Sequence, residues 1–151
     1  MTEPHIRIFP HSKEEFVSRD TFTTWLWTAL KAAGGQYSLR RKDAVADLPP
    51  GSLVLFRYGS VVVGEAVVVR YSSSPSRGQT LSGNPQKYGA CVWFSPSSIR
   101  IYAPPVEINV LQAFIVEEKD LTYPRSYAII KDWTPAYPKL LGHVAQFGAF
   151  V

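Results

Sequence analysis

The stretch that decides the fold is PPGSLVLFRYGSVVVGEAVVVRY, Pro49 to Tyr71. Two apolar runs flank Gly59-Ser60, and glycine in the first position of a two-residue loop suits the type II′ turn of a tight hairpin. Counting outward from that turn sets Tyr58 opposite Val61, Phe56 opposite Val63 and Val54 opposite Glu65, with all six on one face of the ribbon. The other face takes Leu53, Leu55, Arg57, Val62, Gly64 and Ala66. Both faces are largely apolar, so the hairpin belongs inside a closed or doubly covered sheet. The expected fold class is α+β, a small β-barrel with peripheral helices.

With 151 residues the chain fits a single domain, 1–151, large enough to bury a core without staples. A composition of 46% hydrophobic and 19% charged residues excludes a disordered tail. The formal charge of +4 tilts the reading toward a polyanionic partner without requiring one. Cys91 stands in the apolar run ACVWF, where it packs as a small hydrophobe, and a lone cysteine allows no intrachain disulfide. That fits a reducing compartment. With no basic start followed by a long apolar segment, the sequence predicts neither a signal peptide nor a membrane span, hence a cytoplasmic protein.

Upstream of the hairpin, IRIF (Ile6 to Phe9) reads as a strand ended by Pro10. Ser12 and Glu15 have the spacing of a capping box and predict a short helix. A longer helix is expected after Asp20, running to about Ala33 and closed by Gly34-Gly35. Its apolar stripe is Phe22, Trp25, Leu26, Ala29, Leu30 and Ala33, while Trp27 points away. Trp27 is then either packed under a neighbouring loop or a stacking platform. In QYSLRRKDAVAD, Gln36 to Asp47, Tyr37 precedes Arg40, Arg41 and Lys42. Such a set is either a solvated face or a place where cations meet phosphates while a ring stacks on a base.

Downstream, Ser72 to Lys87 reads as a polar loop made basic by Arg77 and Lys87, of a length that suits a lid or a spacer. Strands are expected over Tyr88 to Phe94, Ile99 to Tyr102 and Ser126 to Lys131, with Pro104-Pro105 ending the second. A short helix capped by Asn109 and a C-terminal helical segment interrupted at Gly142 complete the reading. His5, His11 and His143 lack metal-ligand spacing, and no CxxC, HExxH, GxSxG, P-loop or GxGxxG motif occurs, so no cofactor or metal is expected. Glu65, on an apolar face, must reach rim water or meet an arginine, a backbone amide or a ligand.

The run GSLVLFRYGSVVVGEAVV resembles the central hairpin of PUA-like barrels, and VWFSPSSIRIYAPPVEINVLQAF, from Val92, resembles the strand, proline turn and strand that follow it there. The resemblance spans roughly Gly51 to Phe114. This group includes the PUA, ASCH, EVE and YTH families, which bind RNA or accommodate a modified base. The lead-in GGQYSLRRKDAVADLPPG is similar to that of EVE-like modules attached to modification-dependent restriction proteins.

The resemblance implies a sensor domain without catalysis that flips a modified base, in DNA more than in RNA, into an aromatic pocket. Extrusion costs a few kcal/mol, and stacking returns about 1–3 kcal/mol per base. The pocket candidates are Trp25, Trp27, Tyr58, Glu65, Tyr71, Tyr88 and Trp93, and the phosphate candidates are Arg40, Arg41, Lys42, Arg77 and Lys87. The implied partners are nucleic acid and an effector nuclease or NTPase domain, with no membrane. Competing readings are an RNA-binding PUA or ASCH-type domain, a small hydrolase or nuclease using Glu65 with Lys42 or Arg57, and a protein-interaction module.

Overall fold

The computed structural model describes residues 3–39, 48–72, 76–79, 85–88, 90–117, 119–122, 127–131 and 133–151; at 76–79, 85–88, 133 and 134 only the backbone is described. β1 (Ile6–His11) runs parallel to β3 (Leu53–Tyr58), and β3 pairs antiparallel with β4 (Val61–Ser72) across Gly59-Ser60. Gly59 takes a φ of 58° and Ser60 stays negative, as a type II′ turn requires. The remaining strands are β2 (Gln36–Leu39), β5 (Ser76–Gln79), β6 (Pro85–Tyr88), β7 (Ala90–Phe94), β8 (Arg100–Glu107), β9 (Ile129–Ile130) and β10 (Ala149–Phe150). The main sheet has the order β10-β8-β4-β3-β1-β9, with β7 added to β4 and β2 added to β7. β4 is its pivot: residues 61–65 lie between β3 and β8, whereas residues 68–72 leave them to pair with β7.

The hairpin register changes partway along. Tyr58 faces Val61 and Arg57 faces Val62, but Phe56 then faces Gly64, leaving Val63 as the extra residue of a β-bulge. Every later residue of β4 is turned over by this insertion. Glu65 therefore sits opposite Leu55, on the face away from Val63, and the expected Val54–Glu65 pair gives way to Val54–Ala66. Gly64 makes the bulge possible, since a Cβ there would lie 2.4 Å from the Arg100 carbonyl oxygen.

The sheet is covered on both sides, as its two apolar faces demand. One face buries Phe9, Val54, Phe56, Val63, Ala66, Val92 and Phe94 beneath the first helix; the other buries Ile6, Ile8, Leu53, Leu55 and Val62 against α2 (Ile108–Phe114) and α3 (Trp133–Phe147). The α+β class thus holds. Among the described residues no ladder joins β1 to β2, so the hydrogen-bonded sheet is open and does not close into a barrel through its backbone.

Several local features differ from the sequence reading. Residues 13–15 form a turn and not a helix: the Glu14 amide donates to Ser12 Oγ at 3.3 Å, and the chain swings round to bury Phe16. The helix α1 (Arg19–Trp25) is capped by Ser18, whose Oγ accepts from the Thr21 amide at 3.1 Å, and continues as a π-helical stretch over Leu26–Leu30. Its buried side is Phe22, Leu26 and Leu30, whereas Ala29 and Ala33 are exposed. Gly34 and Gly35 end it with φ of 69° and 83°.

The Ser72 to Lys87 segment, expected as a loop, contains the β5–β6 ribbon. Pro104-Pro105 does not end β8. From Val62↔Val106 to Gly64↔Ile101, β4 advances two residues while β8 advances five, so the prolines fall where β4 asks for no N–H. Glu107, not Asn109, occupies the cap position of α2, and α3 runs through Gly142 without a break. Among the described residues, no helix is long and apolar enough to cross a membrane.

Candidate functional site

The seam between β1 and β2 is bridged by side chains. The Phe9 and Tyr37 rings lie 5.3 Å apart, and Phe9 also meets Phe94 at 6.2 Å and Tyr127 at 5.5 Å. His11 is buried at this seam, 4.2 Å from the Phe22 ring. Its Nδ1 lies 3.0 Å from the Phe9 carbonyl, which can only accept, so Nδ1 carries the proton and Nε2 accepts from the Tyr37 hydroxyl at 2.5 Å. Burial disfavours the imidazolium and pushes the His11 pKa from 6.5 down to about 4. Trp25 is half-buried at 6.0 Å from Tyr37 and 5.4 Å from Phe16, while Tyr58 packs on Phe22 and donates to the Phe16 carbonyl at 2.8 Å. Tyr71 shares a row with Val92 and Tyr37 and packs against the same core. The structure thus brings Trp25, Tyr58 and Tyr71 to one aromatic side, together with Tyr37, which the sequence reading sets beside the basic run and not in the pocket, and with His11 and Tyr127, which it does not select.

Trp93 and Trp27 lie elsewhere, and each carries a cation on its face. The Arg70 guanidinium stands 3.8 Å over Trp93, and the Lys31 ammonium 3.2 Å over Trp27, which is 39% exposed. Trp27 is thus exposed and not packed under a neighbouring loop among the described residues, with Lys31 over one face of its ring.

Glu65 forms a third constellation, on the opposite face of the sheet. It is 2% exposed and fully engaged: Oε1 accepts from Tyr102 at 2.7 Å, and Oε2 accepts from Tyr137 at 2.5 Å and pairs with Arg100 at 3.3 Å. Of the partners open to this carboxylate, an arginine is the one present, joined by two tyrosines. Burial, then Glu65 itself, pushes the Tyr102 hydroxyl pKa well above its ordinary value, so both tyrosines donate as neutral phenols. The arrangement ties β4, β8 and α3 together and leaves no carboxylate oxygen turned toward Trp25, Tyr58 or Tyr71.

Arg57 does not join it. Its Nε donates to Gly59 O at 2.6 Å and its Nη1 to Leu121 O at 2.5 Å, pinning the hairpin turn beside a cleft of about 310 Å³ that Ser60, Glu107, Ile108, Asn109 and Thr122 also line.

Arg40, Arg41 and Lys42 lie outside the described residues. Arg77 and Lys87 are register partners in the β5–β6 ribbon, with Tyr88 opposite Ser76 one step nearer its base, and only their backbone is described. Among the described residues, no three His, Cys, Asp or Glu side chains gather as metal ligands. What the fold and its site define is a small α+β domain built on one open, doubly covered sheet with an aromatic seam at β1 and β2. Compared with known protein families and with curated proteins, the chain matches none.

Proposed function

We propose that the chain is a nucleic-acid-binding module of the PUA-like kind, a barrel completed by side chains at the β1–β2 seam, which takes an extruded modified base there. It performs no chemistry and reports to an effector nuclease or NTPase domain. The observation that carries this reading is the seam itself: Phe9, His11 and Tyr37 bridge it without backbone pairing among the described residues, and the half-buried Trp25 and Tyr127 rings flank it. A planar base entering here exchanges ring–ring contacts for ring–base contacts of the same kind, with no backbone hydrogen bonds to break. The buried His11–Tyr37 pair supplies polar atoms that can read a base edge once the rings part.

The test is fluorescence anisotropy with duplexes that differ only in one modified base, at a single moderate salt concentration. Wild type is expected to favour the modified duplex, and Trp25→Ala to lower that preference by about tenfold, the value of one stacking contact. An RNA competitor that displaces both duplexes equally well assigns the site to RNA. Equal binding of modified and unmodified duplexes by wild type contradicts the reading.

A further inference from the structure

Resting on the nucleic-acid reading above, we infer that the outer face of β2–β7–β4 is a separate contact for the phosphate backbone beside the bound base, with Arg70, seated over the Trp93 ring, as its anchor. The register puts Arg70, Trp93 and Gln36 in one row across the three strands, and Tyr71, Val92 and Tyr37 in the next. Successive rows of a sheet point to opposite sides. Tyr37 and Val92 are buried in the aromatic core, so the row of Arg70 and Trp93 faces outward.

Three observations single this row out. Arg70 is exposed, and among the described residues no carboxylate pairs with it; its contact is the Trp93 ring at 3.8 Å. A guanidinium that meets a ring by a cation–π contact spends no N–H on it, and its paired N–H groups match the paired oxygens of a phosphate. Because the ring already restricts the long side chain, little further ordering is needed when an anion arrives.

The chain path extends the charge. β4 leads from Arg70 through Ser72 into β5, which carries Arg77, and β6, which carries Lys87 opposite it, leads back into β7 and Trp93. Arg77 and Lys87 thus come between Arg70 and Trp93 in the chain, on a separate two-stranded ribbon. A two-stranded ribbon is an element that the major groove admits, and each phosphate neutralised adds about 0.9 to the salt slope of binding to B-form DNA. The partner that fits this basic surface is a double-stranded phosphodiester backbone.

The experiment measures affinity for an unmodified duplex of about 20 base pairs between 50 and 200 mM salt, so that base selectivity does not enter. Loss of one phosphate contact in Arg70→Gln is expected to reduce the slope by about 0.9, so that wild type loses about 3.5-fold more affinity than the variant across that range. Arg70→Lys should retain most of the slope and Trp93→Phe most of the affinity, whereas Trp93→Leu should behave like Arg70→Gln. A role confined to packing would move the melting temperature and leave the slope alone. Parallel salt slopes for wild type and Arg70→Gln overturn this inference while the base-reading proposal stands. Displacement of the duplex by polyglutamate of equal charge as readily as by unlabelled duplex also overturns it, since the surface would then take any polyanion. No binding of the unmodified duplex by wild type at 50 mM salt also overturns this inference, while the base-reading proposal stands or falls on the modified duplex.

Discussion

Acidification should unlock the aromatic seam through His11, and the size of the effect follows from its burial. His11 is 3% exposed, and its pKa falls from 6.5 to about 4 because the interior disfavours the imidazolium. Above pH 6.5 the ring is neutral in both the folded and unfolded states and contributes no pH dependence. Below it, the unfolded chain takes up a proton that the folded chain refuses until about pH 4, so stability is lost as pH falls through that window. Each tenfold difference in proton affinity between the two states is worth about 1.4 kcal/mol, which gives a loss of about 3 kcal/mol over the whole window and about 2 kcal/mol by pH 5.

Urea unfolding of wild type and His11→Gln at pH 7 and pH 5 isolates this contribution, because the carboxylates titrate alike in both proteins. The variant is expected to be less stable at pH 7, and its deficit should shrink by about 2 kcal/mol at pH 5. A deficit that stays constant between the two pH values would refute the reasoning, as would an NMR titration placing the folded His11 near 6.5.

Two further sets of substitutions test the packing around the candidate sites. Gly35→Ala should destabilise by about 3 kcal/mol, since it combines a positive φ with a Cβ placed 1.9 Å from the Phe94 carbonyl, whereas Gly34→Ala, with a similar φ but open space, should cost about 1 kcal/mol in chemical denaturation. Equal costs would mean that the first helix does not close onto β7 as described. Tyr102→Phe should cost about 2 kcal/mol by withdrawing a donor from a buried carboxylate. Tyr137→Phe should cost less, because Tyr137 is only half-buried and water can take its place; equal stability of both variants with wild type in thermal melts would contradict the arrangement around Glu65.

The central hairpin is legible because its signals are local. A glycine that must adopt positive φ fixes the turn, and two apolar faces demand cover on both sides. Glu65 is misplaced by the same counting for an equally physical reason: one inserted residue, Val63, inverts everything beyond it, and only the partner strand's register reveals the bulge. That Glu65 must reach water or find a partner follows from its place on an apolar face, but the choice of Arg100 and Tyr102 depends on β8 lying beside β4.

The strand β2 escapes a sequence reading although Tyr37 and Leu39 alternate with Gln36 and Ser38, since four residues carry too weak a period to stand alone. Proline misleads at β8, where the register skips the residues that lack a donor. Among the aromatic candidates, the helical period places Trp25 on the inner side and Trp27 outside. Nothing in the sequence could bring His11 of β1 to Tyr37 of β2, a meeting created by the curl of the sheet.

The most direct test of base uptake at this seam is a duplex carrying a fluorescent base analogue opposite the modified base, whose emission rises when its partner leaves the stack. The account predicts brightening when wild type binds, retained in Arg70→Gln once the salt is lowered to restore binding, and lost in Trp25→Ala. Saturated binding by wild type with no change in emission would contradict it.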